Sequence, residues 1–142
     1  MAINILVVDD SLPMRSVIIK IVKASGYGSA NFFQAENGKE ALLLLGSEWI
    51  DIVLTDYNMP DMNGLELLSC IKSDDDLLRI PVLVITTEGS QQKIEEFLNK
   101  GAADYIKKPF SPEEIYEKLT NILGENHDEE SDDEESDDEL DF

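Results

Sequence analysis

The run Ile50-Asp51-Ile52-Val53-Leu54-Thr55-Asp56, followed by Tyr57-Asn58-Met59-Pro60-Asp61-Met62-Asn63-Gly64, decides how this chain folds. Its first half is β-branched and apolar, the composition of a strand buried on both faces. Its second half is a Pro/Gly loop, and Asp56 stands at the junction. A carboxylate at the tip of a buried strand is badly placed for stability and well placed for chemistry. Three other apolar runs end in the same way. Residues 3–8 lead into Asp9-Asp10, residues 82–85 into Thr86, and Tyr105-Ile106 into Lys107-Lys108-Pro109. In an open parallel sheet these strand ends share one edge, which is where such sheets bind ligands. Acids, a hydroxyl and an ammonium far apart in sequence are therefore expected to converge.

Strand-like and helix-like segments alternate five times along the chain. After the first strand, Met14, Val17, Ile18, Ile21 and Val22 recur at helical spacing, with Pro13 in the first turn, where it is tolerated. Gly26 and Gly28 are expected to stop this helix. Residues 30–35 read as a weaker strand near an edge, and 38–45 as a short helix. Leu65, Leu68 and Ile71 mark a third helix, and Ile94, Phe97 and Leu98 a fourth, stopped at Gly101. Residues 104–106 form a short fifth strand. Ser111-Pro112-Glu113-Glu114 combines an N-cap, Pro at the first helical position and a capping-box Glu. The stripe of that last helix is Ile115, Leu119 and Ile122, with Gly124 as its end. Strict β/α alternation implies parallel strands and a three-layer α/β sandwich.

Composition narrows the functional classes. The chain has 142 residues and a net charge of −20. Residues 125–142 hold 12 acids and no Lys or Arg, while the other 124 residues hold 19 acids and 11 bases, a balance of −8. The expected organisation is one domain over residues 1–124 and a disordered acidic tail over 125–142. An acidic body without a basic stripe argues against nucleic acid as a partner. No apolar stretch approaches the roughly 18 residues of a membrane span, and no signal peptide is visible. The lone Cys70 points to a reducing compartment, so a cytoplasmic location is expected.

Three clustered carboxylates repel one another, so one must take up a proton or a cation must bind. Hard oxygen ligands with few side chains suit Mg²⁺, which keeps several waters and accepts a phosphate oxygen. One carboxylate is then free as a nucleophile, and aspartyl phosphate is an established covalent intermediate. A transferring phosphoryl group spreads charge over three oxygens; the metal, the Lys108 ammonium and the Thr86 hydroxyl can take one each. Read from the residues alone, this is a Mg²⁺-dependent aspartyl-phosphate site.

With Val7-Val8-Asp9-Asp10-Ser11, Asp56-Tyr57-Asn58-Met59-Pro60, Asn63-Gly64, Thr86 and Lys108-Pro109-Phe110 in this order and spacing, residues 3–124 resemble a response-regulator receiver domain. The likeness is strongest to the stand-alone chemotaxis type. It implies a flavodoxin-like five-stranded parallel sheet in the order 2-1-3-4-5. It also implies roles: Asp56 as phosphoacceptor, and Asp9, Asp10, Asp56 and the Asn58 main-chain carbonyl around Mg²⁺. Lys108 would pair with the phosphoryl group, Thr86 would move toward it, and Tyr105 would turn inward as the switch. Asn58, Thr87 and Glu88 occupy positions that tune phosphoryl lifetime. Asn58 with Glu88 resembles the fast-decaying chemotaxis regulators, whereas Thr87 is bulkier than the smallest residues common there. Tyr57 stands where some relatives carry Trp, and the only Trp, Trp49, precedes the third strand.

The resemblance further implies a histidine kinase as phosphoryl source, a downstream protein target such as the flagellar motor switch, and room for a phosphatase partner. The expected protein is a monomeric single-domain response regulator that assists its own phosphorylation and dephosphorylation, rather than a turnover enzyme. A phosphorelay intermediate is the alternative within the class. A Mg²⁺-dependent aspartyl-phosphate phosphatase is the alternative outside it, disfavoured because Asn58 stands where such enzymes carry an acid. A binding module with a vestigial site is a third. Met59, Met62 and Cys70 read as packing residues and His127 as no ligand. The tail reads first as a solvating, self-repelling segment; the sharper alternative is that Leu140 and Phe142, at its end, suit a peptide that seeks an apolar pocket with a basic rim.

Overall fold

The computed structural model describes residues 2–130, the last six as helix backbone only. Its elements are β1 (Asn4–Val8), α1 (Leu12–Val22), β2 (Asn31–Ala35), α2 (Gly38–Ser47), β3 (Ile52–Asp56), α3 (Gly64–Lys72), β4 (Val82–Thr86), α4 (Gln91–Asn99), β5 (Asp104–Lys107) and α5 (Pro112–Glu130). All strand pairs are parallel, in the order β2-β1-β3-β4-β5. The fold class and strand order expected above are those of the structure.

Side-chain parity divides the core in two, because successive strand residues point to opposite faces. Leu6, Val8, Val53, Val82 and Val84 pack against α2, α3 and α4 through Ala41, Leu45, Leu67, Leu68, Ile71 and Phe97. Ile5, Val7, Ile52, Leu54, Leu83, Ile85 and Ile106 face α1 and α5, meeting Ile18, Val22, Ile115 and Leu119. The three central strands are covered on both sides, which is why their runs are continuously apolar. β2 lies at the sheet edge and exposes Asn31 and Gln34.

Several helix faces differ from the periodicity reading. In α1 the buried stripe is Arg15, Ile18 and Val22, while Val17 is 47% exposed. In α5 Leu123, rather than Ile122, takes the deepest position after Ile115 and Leu119. Each substitution follows the spacing i, i+3/i+4, i+7/i+8, which a run of consecutive apolar residues leaves ambiguous. Cys70 is exposed and does not pack as expected; it lies two residues from Leu68, hence away from the buried face of α3. Met59 is buried and Met62 packs on the same cluster.

The last helix continues past Gly124 to Glu130, because one Gly inside a helix costs only about 1 kcal/mol against Ala. Residues 131–142, with Leu140 and Phe142 and most of the tail expected to be disordered, lie outside the described residues. Of the expected glycine stops, Gly26 at φ +124° and Gly101 at φ +106° are bends in left-handed conformation, whereas Gly28 keeps a right-handed φ of −66°. Gly101 closes α4 with paired bonds, Ala102 N–H to Phe97 O and Gly101 N–H to Leu98 O. Among the described residues no helix is long and apolar enough to cross a membrane.

Candidate functional site

The parity that sorts the core also builds the site. Asp9 continues the Ile5 and Val7 face of β1, Asp56 the Ile52 and Leu54 face of β3, and Lys108 the Ile106 face of β5. At the C-terminal edge these three side chains therefore meet on one side of the sheet. Lys108 Nζ lies 3.1 Å from Asp56 Oδ1 and 4.0 Å from Asp9 Oδ2. Carboxylate oxygens of Asp9, Asp10 and Asp56 all lie within 4.8 Å of one another. Asp9 and Asp56 are 2% and 5% exposed, whereas Asp10 opens to solvent.

Such crowding shows in the electrostatics. Burial pushes the Asp56 carboxyl above its ordinary value, against the opposing pull of Lys108 and of a bond from Asn58 N–H. Burial likewise raises Asp9; the Ser11 N–H that Oδ1 accepts opposes it, and the Asp56 charge adds to it. Asp9 Oδ2 has no hydrogen-bond partner although it is buried. An orphaned buried carboxylate oxygen beside two further carboxylates is a donor set for a hard cation. The residues present thus fit Mg²⁺.

The loop that carries the acceptor is held at both ends. Gly64 N–H donates to Tyr57 O at 2.8 Å, closing residues 57–64 into a compact turn. A Cβ at Gly64 would stand 2.6 Å from Asp56 O and 2.9 Å from Tyr57 Cα, so only Gly permits this approach. Asn63 and Glu66 bond reciprocally across the first turn of α3, fixing where the loop ends. Asp61 takes φ +69°, a left-handed position that Asp tolerates better than most residues. On the far side a cis peptide joins Lys108 to Pro109.

Thr86 is fully buried, and its Oγ1 accepts from Glu88 N–H at 2.9 Å. Tyr105 is half-buried, pairs with Val84 in the ladder while Thr86 pairs with Lys107, and carries Lys118 Nζ 4.8 Å from its ring centroid. The two are diagonal neighbours on one face. Asn58, Thr87 and Glu88 are exposed around the mouth of the site. Asp9, Asp10, Asp56, Asn58, Thr86, Thr87, Glu88 and Lys108 follow or end strands at this edge, with Tyr105 directly behind it.

Two features went unread in the sequence. Arg15 is 9% exposed; Nη1 donates to Asp9 O at 2.6 Å and Nε to Gln34 Oε1 at 2.9 Å, bracing the β1–α1 loop. Its signal was a base on the buried stripe with Ile18 and Val22. Lys93, on α4, donates to Tyr57 Oη at 2.8 Å, a contact between residues 36 apart that no local pattern announces.

Comparisons with known proteins bear on the family and the fold. The family model for the response regulator receiver domain matches residues 5–120. The chemotaxis protein CheY1 of Helicobacter pylori is 40% identical over 124 residues, covering 87% of this chain and 98% of its own. The chemotaxis protein CheY-3 of Vibrio cholerae is 38% identical over 120 residues, covering 84% and 91%. Among solved structures, the chemotaxis response regulator CheY4 of Vibrio cholerae superposes with a TM-score of 0.78 at 29% identity, over 87% of this chain and 100% of that one.

Proposed function

The chain belongs to the response regulator receiver family, and on that footing we propose that it is a phosphorylation switch whose acceptor is Asp56. The observation that carries this reading is the Lys108 ammonium 3.1 Å from Asp56 Oδ1 inside a three-carboxylate cluster. In the transfer step an Asp56 oxygen attacks the phosphorus of a phosphohistidine on a kinase. A P–O bond forms as the P–N bond breaks, and the imidazole ring leaves with the electron pair and takes up one proton from solvent. Lys108 counters the charge on the phosphoryl oxygens. Asp9, Asp10 and Asp56, with the Asn58 carbonyl, would hold Mg²⁺, which when bound neutralises the carboxylates and polarises the phosphoryl group. Hydrolysis reverses the charge flow: water attacks phosphorus, the Asp56 carboxylate leaves, and a proton passes to solvent. The protein is consumed and regenerated stoichiometrically and is not an enzyme with an external substrate.

Thr86 makes the site a switch. Its hydroxyl now accepts from Glu88 N–H, so turning toward the phosphoryl group exchanges that bond and draws on residues 87–90, which lead into α4. Tyr105 behind it then has room to turn inward, remodelling the face of α4, β5 and α5 for a protein target. Its similarity to chemotaxis proteins supports control of a flagellar motor, with the protein carrying the signal through the cytoplasm from kinase to target. Asn58, Thr87 and Glu88 at the mouth govern water access and hence lifetime.

Incubation with Mg²⁺ and acetyl phosphate, followed by intact-mass measurement, tests the reading. One added phosphoryl group is expected, decaying on its own and missing in Asp56→Asn and in EDTA. Failure to gain it, together with failure to bind beryllofluoride, would overturn the assignment.

A further inference from the structure

The helix α4 is weakly anchored: of its nine residues only Phe97 is buried. Two of its ties run to a single side chain, Tyr57, the residue immediately after the acceptor. Phe97 packs on the Tyr57 ring with centroids 5.4 Å apart. Lys93 Nζ lies 4.9 Å from the same ring centroid and donates to its hydroxyl at 2.8 Å. The ammonium is oriented from the other side by Glu96 Oε1 at 3.2 Å. Lys93 and Tyr57 are both half-buried, so water only partly competes for their bond. Ser90 caps the helix by accepting from Lys93 N–H, so the residue that makes the bond also lies in the capped first turn.

Tyr57 is itself rigidly connected to the site. Its amide donates to Ile85 O in β4, its carbonyl accepts from Gly64 N–H, and its neighbours Asp56 and Asn58 are the acceptor and a bond donor to it. A shift of the main chain at residues 56–58 therefore moves a ring that α4 grips at its face and its tip. We propose that Lys93 is a positioning residue which, through Tyr57, couples the acceptor loop to α4. This route is separate from Thr86 and Tyr105, and it sets how far α4 responds when the site is occupied. The inference rests on the reading of Asp56 as phosphoacceptor.

Amide hydrogen exchange over α4 in the full chain tests it, without and with Mg²⁺ plus beryllofluoride. The variants are Lys93→Met, Tyr57→Phe, the double variant and Lys93→Arg. Without ligand, each single variant should speed α4 exchange by roughly fivefold, the weight of one partly screened charge-assisted hydrogen bond. The double variant should do no more than either single one, because both remove the same bond. On adding Mg²⁺ and beryllofluoride, the change in α4 exchange should fall to less than half the wild-type change, and Lys93→Arg, which keeps a donor, should restore most of it. Tyr57→Phe loses only a hydroxyl and keeps the experiment decisive if Lys93→Met folds poorly. A wild-type-sized α4 response in both single variants, or additive effects in the double variant, overturns the inference alone. Absence in the wild type of both a phosphoryl adduct and beryllofluoride binding overturns the phosphoacceptor reading, and the coupling with it.

Discussion

Replacing Asp9 by Asn should stabilise the metal-free protein. Asp9 is 2% exposed; Oδ1 is satisfied by Ser11 N–H, whereas Oδ2 has no hydrogen-bond partner. Leaving such a group unmet costs about 1–3 kcal/mol, more when it is charged. The Coulomb contributions of Lys108 and Asp56 nearly cancel. At an effective dielectric near 20, the attraction to Lys108 at 4.0 Å is about 4 kcal/mol, and repulsion from a carboxylate at the cluster's 4.8 Å limit is about 3.5 kcal/mol. The desolvation penalty, to which the solvent-screened repulsion of the exposed Asp10 adds, then decides the sign. Asn keeps the acceptor for Ser11 N–H and turns the orphaned oxygen into a donor facing Asp56. The net gain should be about 1–2 kcal/mol, or roughly 4–8 °C in Tm for a domain of this length.

The assay is urea unfolding followed by far-UV circular dichroism in EDTA, at several pH values. Burial raises both the Asp9 and Asp56 carboxyls in the folded state. Their favourable contribution is therefore full below the ordinary value of 3.8 and is lost as pH rises through the raised native values. The advantage of Asp9→Asn should thus be small at low pH and grow across that window. Adding Mg²⁺ should narrow or reverse it, since ligand at about 100 times Kd stabilises the wild type by about 2.7 kcal/mol. An Asn variant no more stable than wild type in EDTA at neutral pH, with an unchanged m-value, would refute the argument that this carboxylate is held against its own desolvation.

Other substitutions probe the frame. Gly64→Ala places a Cβ against Asp56 O and Tyr57 Cα; it should cost about 1–3 kcal/mol in urea unfolding and slow phosphoryl uptake by displacing the acceptor. Lys108→Met removes the charge and keeps the stem. Breaking a buried pair costs about 3–5 kcal/mol, but Lys108 is 20% exposed at an open edge, so about 1–2 kcal/mol is expected after discounting for solvent, with adduct formation by acetyl phosphate largely lost. Phe97→Ala empties a fully buried position under Tyr57; thermal unfolding should show a loss of about 3–5 kcal/mol, and faster α4 amide exchange should accompany it.

Most of the fold was legible because burial leaves a periodic trace. The continuous apolar runs of β1, β3 and β4 exist because both sheet faces are covered, and the cap at Ser111 is written in residue types at fixed offsets. The strand order, by contrast, came from resemblance, since alternation implies parallel strands without ordering them. Chemistry-bearing strand ends were legible for the same reason as the strands: Asp9, Asp56, Thr86 and Lys108 interrupt apolar runs, where polar groups are costly. Helix faces were less clear. Val17 and Cys70 were assigned to packing but face solvent, because neighbouring apolar residues let a stripe be drawn at more than one angle.

What only the tertiary structure decided is contact between segments with no shared local pattern. Asp9, Asp56 and Lys108 carry their residue types in the sequence, but that their parities coincide, leaving Asp9 Oδ2 buried without a hydrogen bond, depends on strand register. Arg15 bracing Asp9 O and Lys93 gripping Tyr57 are set by how α1 and α4 lie on the sheet. Sequence determines which groups are expensive to bury; packing determines which of them meet, because distance in the chain says nothing of distance across a sheet.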